Sequence, residues 1–227
     1  MAMKTSREGL IEIASHEGIV TSPYRDSVGV WTFGIGHTSG AGEPYPKTMQ
    51  KGVIRPIAEI MDLFAKDVAK YERRVNAAFK KKLTQKQFDA AVSFDFNTGA
   101  IHKASWVKDF NAGNPAAAKK SFMNWRKPAE IIPRREKERD LFFKGKYSSG
   151  GYANVYSADS SGKVQWAAGR RVQVSKLIDA PTKPTQPDPL DQITLTPDDL
   201  KIEPVKPSVG VWAVLIKFIA SIFRSRK

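Results

Sequence analysis

The sequence predicts a mainly helical α+β fold with a small antiparallel sheet. Apolar residues recur at three- and four-residue steps over residues 56–78 and again after Thr84, which is the spacing of amphipathic helices. Residues 26–36 are instead a turn-rich stretch with several glycines and β-forming residues, which predicts a hairpin. At 227 residues and 41% hydrophobic composition, the chain is long enough for one sizeable domain with extensions.

The first helix is predicted to begin at a capping box formed by Thr5 and Glu8. Glu17 lies seven residues after Leu10, so its side chain leaves the helix on the apolar face, and Gly18 ends the helix. Burial against apolar surface favours the protonated form of a carboxyl group. We therefore expect Glu17 to act as a proton donor.

A second carboxylate, Asp26, lies at the mouth of the predicted hairpin. If the turn is centred on Gly29, Asp26 and Thr32 are equidistant from it and face each other across the two strands. A carboxylate and a hydroxyl placed in this way can hold one water molecule, as the base side of an inverting glycosidase requires. Each residue alone is more often an ordinary turn or cap residue, and only their joint spacing with Glu17 favours catalysis.

These residues belong to a longer motif that resembles the phage lysozymes of glycoside hydrolase family 24. The motif reads Glu17-Gly18, then Tyr24-x-Asp26, then Gly29-x-x-Thr32-x-Gly34-x-Gly36-His37. The resemblance places the family's catalytic Glu, Asp and Thr on Glu17, Asp26 and Thr32. It implies a two-lobed, lysozyme-like domain over residues 1–146 that works without a cofactor. The implied activity is that of an endolysin, a muramidase that hydrolyses the β-1,4 bond between N-acetylmuramic acid and N-acetylglucosamine in peptidoglycan.

Three further residues are candidate substrate contacts. Tyr24 lies in the same motif as Asp26, and Asn97 belongs to a Phe-Asn-x-Gly element that also occurs in the family. Asn97 could equally be a helix-end amide that bonds to nearby backbone. Arg135 opens an Arg-Arg-x-x-Glu-x-x-Leu-Phe-x-x-Gly pattern with Arg134, and we expect these arginines to be either scaffold or saccharide contacts.

Composition limits the chemistry and the partners of the chain. It contains no cysteine, and its three histidines, His16, His37 and His102, are scattered, so we expect neither a metal site nor a redox site. The net charge of +14 indicates an anionic partner, which could be nucleic acid, an anionic membrane or lipopolysaccharide, or the cell wall. The basic residues form no recognition-helix motif, so we do not expect nucleic-acid binding.

The remainder of the chain divides into three predicted parts. Residues 147–179 form a β-hairpin extension packed on the catalytic domain, with strands near 155–156 and 164–166 and a further strand near 170–174. Tyr152, Tyr156 and Trp166 in this extension either stack on sugar rings or pack internally.

Residues 180–208 are rich in proline among polar and acidic residues, which predicts an extended linker. Residues 209–227 are predicted to form an amphipathic basic tail that associates with an anionic membrane or lipopolysaccharide. The tail is shorter than a bilayer span and contains Lys217.

Two other functions stay open at this point. A lytic transglycosylase needs the acid but not a pair that activates water, and a wall-binding or membrane-active protein needs neither. The first residues contain no apolar core of signal-peptide length. For a phage-type lysozyme this implies accumulation in the host bacterial cytoplasm until release to the periplasm and cell wall, and we expect a monomer.

Overall fold

A computed structural model describes residues 2–178 of the chain, and the predicted linker and tail lie outside these residues. The described part contains seven α-helices and five strands. They are α1 (Arg7–Glu17), β1 (Ile19–Arg25), β2 (Trp31–Gly34), β3 (His37–Thr38), α2 (Ile57–Ala78), α3 (Gln85–Thr98), α4 (Ser105–Asn111), α5 (Pro115–Phe122), α6 (Ile132–Lys144), β4 (Ala153–Tyr156), β5 (Arg170–Val172) and α7 (Val174–Leu177). The predicted α+β, mainly helical class is confirmed.

The five strands form one mixed sheet in the order β3-β2-β1-β4-β5. The pairings β1–β2, β2–β3 and β4–β5 are antiparallel, but β1 and β4 are parallel. The prediction of a wholly antiparallel sheet is therefore wrong at this one pairing. Parallel neighbours require a long crossover between them, and here the entire set of helices α2 to α6 lies between β1 and β4 in the chain.

The segment after α6 uses a different strand partner from the one predicted. Residues 155–156 lie in β4, but β4 pairs with β5 and not with residues 164–166. Val164 makes only an isolated bridge with Ala158, and Trp166 begins a 3₁₀ turn. The expected strand near residue 170 is present as β5.

A buried carboxylate in α1 holds the start of this C-terminal segment. Glu12 is 1% exposed. It accepts hydrogen bonds of 2.9–3.0 Å from the backbone N–H groups of Ser148 and Ser149, and one of 2.5 Å from the Ser148 hydroxyl. A buried carboxylate without such donors would strongly destabilise the fold, so these hydrogen bonds couple residues 147–178 to the first helix.

The helix ends follow local sequence signals in most cases. Thr84 and Gln87 form a capping box at the start of α3, and Gly99 ends that helix in the left-handed conformation. The expected cap at Thr5 is wrong, because Ser6 is the N-cap of α1 and accepts from the Gly9 amide. Ser6 is selected by a tertiary contact, since its hydroxyl also donates to the buried Asp89 carboxylate at 2.5 Å.

An aromatic cluster forms the core of the helical part. Trp106 is fully buried, and the rings of Phe79, Phe94, Phe122 and Phe142 surround it at centroid distances of 4.6–5.6 Å. Such pairs add to the free energy gained from burying their apolar area. Because these rings come from α3 to α6 and the end of α2, the cluster holds α6 in a fixed position relative to the rest of the molecule.

A His37–Asp67 pair connects the sheet to α2. The His37 Nδ1 lies 2.9 Å from the Asp67 carboxylate, and Nε2 donates to the Pro44 carbonyl at 2.9 Å. Burial alone would lower the pKa of His37, but the hydrogen bond and negative charge of Asp67 outweigh burial and raise the pKa above its ordinary value. The ring therefore joins β3 to α2 through contacts at both of its nitrogens.

Candidate active site

Glu17 is the last residue of α1, and its side chain is buried, with 3% of its surface exposed. Gly18 follows at φ 80°, and its N–H donates to the Ala14 carbonyl. Only glycine adopts this positive φ readily, and a Cβ there would lie 3.2 Å from the Tyr156 ring. The glycine lets the chain pass from helix to β1 within one residue, and it leaves Glu17 at the junction between helix and sheet.

The sequence predicts apolar surroundings for Glu17. In the structure, a cation also contacts its carboxylate. The Arg134 guanidinium, from α6, donates to Glu17 Oε1 at 2.5 Å. Glu17 Oε2 is also buried, and it has no hydrogen-bond partner among the residues that the structure describes. One carboxyl oxygen is thus fixed by a cation, and the other is available to carry or deliver a proton.

Arg134 belongs to a buried network of alternating charges. Its Nε donates to Glu138 at 2.9 Å, Glu138 accepts from the Ser93 hydroxyl at 2.7 Å, and Glu138 also pairs with Arg135. Burial opposes the charge of Arg134, but Glu17 and Glu138 outweigh it and raise the pKa of this guanidinium. Two cations and two carboxylates therefore balance in this network, and Arg134 connects Glu17 to Glu138.

Arg135 and Asn97 contact each other. Arg135 is 1% exposed, and it donates to the Trp125 carbonyl at 3.0 Å and to Asn97 Oδ1 at 2.6 Å. Its guanidinium also lies 4.6 Å from the centre of the Phe94 ring. Since its donors are directed to protein acceptors, the structure favours the scaffold alternative for Arg135 over the predicted saccharide contact. Asn97 is 8% exposed and bonds to this arginine side chain. The sequence suggests a substrate contact or a hydrogen bond to nearby backbone, and this bond is neither of these.

The β1–β2 hairpin places Asp26 one position away from the predicted register. Tyr24 pairs with Thr32, and the Asp26 amide donates to the Val30 carbonyl at 3.0 Å, so the turn is centred on Val28 and not on Gly29. Asp26 therefore faces Val30, and the expectation that it faces Thr32 directly is wrong. Asp26 and Thr32 are diagonal neighbours on the same face, because side chains on paired strands alternate with a period of two.

The Asp26 carboxylate itself causes this shift in register. Its Oδ1 accepts from the Val28 amide at 3.0 Å and from the Val30 amide at 2.8 Å, which closes the turn over three residues. Among the described residues, no group donates a hydrogen bond to Oδ2. The Thr32 hydroxyl, 3% exposed, donates to the Val30 carbonyl at 3.2 Å, so its oxygen can still accept a hydrogen bond.

The Tyr24 phenol is influenced by the charges of both catalytic candidates. Its ring is 1% exposed. Burial raises the pKa of its phenol far above the ordinary value, and the charges of Asp26 and then Glu17 raise it further. The buried phenol therefore stays neutral in the field of the two carboxylates.

Sequence reasoning missed the connection from Glu17 to Arg134 and Glu138. The i, i+4 spacing of Arg134 and Glu138 on a helix was a usable signal for their mutual pairing. Nothing local marks a contact between residues that are 117 positions apart. Within residues 2–178, no group of three or more His, Asp or Glu side chains is arranged to hold a metal ion.

Comparison with known proteins gives consistent matches. The model of a family described as phage lysozyme matches residues 14–138. The endolysin of Salmonella phage P22 is 30% identical over 146 residues, covering 62% of this chain and 98% of that protein. A SAR-endolysin of Enterobacteria phage P21 is 29% identical over 132 residues, covering 55% of this chain and 76% of that protein.

Two solved structures show the same architecture. An endolysin from Escherichia coli O157:H7 phage FAHEc1 aligns with a TM-score of 0.57 at 28% identity, covering 65% of this chain and 98% of that one. The muramidase domain of SpmX from Asticaccaulis excentricus aligns with a TM-score of 0.53 at 29% identity, covering 62% and 97% of the two chains. Since the family match begins in α1 before Glu17 and ends in α6 at Glu138, it includes both sides of the site, and the chain belongs to the phage lysozyme family.

Proposed function

We propose that this chain is an endolysin that hydrolyses the β-1,4 bond between N-acetylmuramic acid and N-acetylglucosamine in peptidoglycan. Membership of the phage lysozyme family and likeness to a muramidase domain support a glycoside hydrolase. The observation that carries the residue assignment is the difference between the settings of the two carboxylates, Glu17 and Asp26. One is buried beside a cation, and the other is partly exposed at a hairpin turn. Carboxylates in two such different settings suit an acid and a base.

Glu17 is the general acid in this mechanism. Arg134 holds its Oε1, so that the proton for the glycosidic oxygen is placed on Oε2, which has no hydrogen-bond partner among the described residues. The bond between the sugar and its leaving oxygen breaks as that oxygen takes the proton. Glu138 fixes the position of Arg134 and therefore of the acid.

Asp26 is the general base, and Thr32 orients the water. The two amide hydrogen bonds to Asp26 Oδ1 fix the carboxylate and direct the chemistry to Oδ2, which takes the proton of the attacking water. Because the Thr32 hydroxyl donates to the Val30 carbonyl, its oxygen accepts the other hydrogen of that water. Attack from the face opposite the leaving group inverts the anomeric centre.

Two other functions are less well supported by the site. A lytic transglycosylase forms an internal anhydro ring and needs no activated water. Asp26 and Thr32 lie on the same face of the paired strands β1 and β2, an arrangement that suits activation of a water molecule. A non-catalytic wall-binding protein needs no buried acid. Glu17 is buried together with a cation, whereas a surface contact would leave it exposed.

Mass spectrometry of soluble products from purified peptidoglycan tests the proposal. The wild type should release reducing N-acetylmuramic ends, and Glu17→Gln and Asp26→Asn should each lower the rate about 10²–10⁴-fold. Glu8→Gln, at an exposed position of the same helix, is the matched control and should leave the rate unchanged. Products with 1,6-anhydro ends would identify a transglycosylase, and an absence of soluble fragments would favour the wall-binding alternative.

Thr32 is tested with a pair of variants. Thr32→Ser keeps the hydroxyl and should retain hydrolysis, whereas Thr32→Val keeps the shape and should lose about tenfold or more through poorer orientation of the water. Equal activity of the two variants would remove Thr32 from the mechanism.

We also propose that the sequence features outside the described residues govern delivery. The endolysin and SAR-endolysin relatives support release from the host cytoplasm to the cell wall. Among residues 2–178, no helix has the length and apolar character to cross a bilayer. The proposed membrane contact, with anionic lipid or lipopolysaccharide, is assigned to residues 209–227, joined to a monomeric enzyme by the 180–208 linker. Deletion of residues 209–227 should leave wall hydrolysis intact and abolish binding to anionic liposomes, and unchanged binding would refute the assignment.

A further inference from the structure

A pocket of about 360 Å³ lies directly beside Asp26, between the β1–β2 hairpin and the segment after β4. The hairpin contributes Tyr24, Asp26 and Ser27 to its lining, and the later segment contributes Ser161, Lys163 and Trp166. This volume is within the range of about 300–1,000 Å³ that small-molecule sites occupy. The second wall lies beyond residue 138, where the match to the family model ends.

Several contacts fix this second wall against the hairpin. The Ser22 hydroxyl donates to the Ala158 carbonyl at 3.1 Å and accepts from the Ala158 amide at 2.9 Å. The Arg25 amide donates to the Gly162 carbonyl at 2.8 Å. Together with the parallel pairing of β4 with β1, these bonds make the pocket a formed feature of the fold.

The turn that carries Ser161 and Lys163 is internally braced. Asp159 Oδ1 accepts from the amides of Ser161 and Lys163 at 2.9 and 3.0 Å, and from the Ser161 hydroxyl at 2.6 Å. Gly162, between them, has φ 85°, and a Cβ there would lie 2.6 Å from the Trp31 ring. The close approach of the turn to β2 therefore depends on glycine.

The lining has the chemical character of a saccharide site. Trp166 is 45% exposed, and its ring makes an edge-type contact with the Tyr156 ring at a centroid distance of 5.0 Å. A broad aromatic surface packs against the C–H face of a pyranose ring, and the hydroxyls of Ser27 and Ser161 match its ring hydroxyls. Lys163 adds positive charge, which suits an anionic polymer.

The position of the pocket beside Asp26 also indicates which ligand it binds. This step rests on the proposed function: if Asp26 activates water at the bond that is cut, the glycan strand passes Asp26 and continues on either side. The pocket includes Asp26 in its own wall, so the strand reaches it without a gap. We propose that this pocket binds one saccharide unit of the glycan strand next to the cleavage site, with the sugar ring stacked on Trp166. The segment after β4 is thereby a specificity element of the enzyme and not only a structural addition.

Binding of peptide-free glycan strands, prepared from purified peptidoglycan, tests the proposal by titration calorimetry. Glu17→Gln is used as the parent chain so that the strands stay intact. Adding Trp166→Ala should weaken binding about tenfold, and adding Trp166→Phe, which keeps an apolar ring, should restore most of the affinity. Tyr45→Ala is the matched control, because Tyr45 is 44% exposed and does not line the pocket.

A second variant keeps the proposal testable if the Trp166→Ala chain fails to fold. Ser161 is exposed, and Ser161→Gln places a longer side chain in the pocket while keeping the backbone bond to Asp159. It should also weaken binding. In the otherwise wild-type chain, both changes should raise KM for glycan strands and leave kcat within about twofold.

Affinities of the Trp166→Ala and Ser161→Gln chains equal to that of the Tyr45→Ala chain would overturn the proposal. A loss of affinity seen only with peptide-bearing strands would also overturn it, since the pocket would then bind the peptide. The reaction products show separately whether the proposed function fails. A wild-type chain that binds strands in a Trp166-dependent manner but releases no reducing muramic ends would refute hydrolysis and leave the saccharide pocket in place.

Discussion

Replacing Glu138 with alanine should strongly destabilise the fold. Glu138 is 1% exposed and is the shared partner of Arg134, Arg135 and Ser93. Its removal leaves two buried guanidinium groups with Glu17 as the only remaining carboxylate of the network. Breaking a buried ion pair from one side costs about 3–5 kcal/mol. For a folded part of this size, each kcal/mol lowers Tm by roughly 2–4 °C, so the expected decrease is about 6–20 °C.

Thermal unfolding followed by circular dichroism measures this effect, with Glu136→Ala as the control on the exposed side of the same helix. The control should change the free energy of unfolding by less than about 0.5 kcal/mol. Glu138→Gln, which keeps the shape and one acceptor oxygen, should fall between the two. Hydrolysis measured well below Tm should also decrease in Glu138→Ala, because Arg134 is then no longer fixed beside Glu17. If Glu138→Ala and Glu136→Ala unfolded within about 1 kcal/mol of each other, the network would not be the support of the acid that we infer.

Two further predictions concern the sheet and its connection to α2. The raised pKa of His37 means that its pairing with Asp67 stabilises the fold fully below the ordinary histidine pKa and less as pH rises through the raised value. The Tm difference between wild type and Asp67→Asn should therefore be largest near pH 5 and shrink toward about pH 9, and a constant difference would contradict this. Gly162→Ala should destabilise more than Gly29→Ala: both glycines have positive φ, but only at Gly162 does a Cβ meet the Trp31 ring, while nothing lies within 4 Å of one at Gly29. Strain at each site costs about 1–3 kcal/mol, so equal urea-unfolding midpoints for the two variants would show that contact with the ring adds nothing.

Features encoded within a few residues of each other could be predicted from the sequence. The amphipathic run of α2, the Thr84–Gln87 capping box and the left-handed Gly99 each depend on neighbours within about one helical turn. The position of Glu17 at the end of a helix is of the same kind. So is the grouping of Asp26 and Thr32 on one hairpin, because two short strands and a turn bring them together.

Register and partners depended on contacts that the local pattern does not contain. The turn of the hairpin is centred one residue earlier than predicted, because the Asp26 carboxylate binds the Val28 and Val30 amides. A pattern of β-forming residues does not specify the centre of a turn. Ser6 replaced Thr5 as the helix cap because Asp89 lies against it in the folded chain.

The sequence by itself identified the candidate residues of the site, since helix spacing and a short motif place Glu17, Asp26 and Thr32 at the ends of adjacent elements. The tertiary structure alone decided what holds them. Arg134 reaches Glu17 across 117 positions of chain, and Ser22 meets Ala158 across 136. Such contacts form only when the packing of whole helices and strands has fixed their relative positions, because the free energy that selects them comes from burial of charge and apolar surface and not from neighbours along the chain.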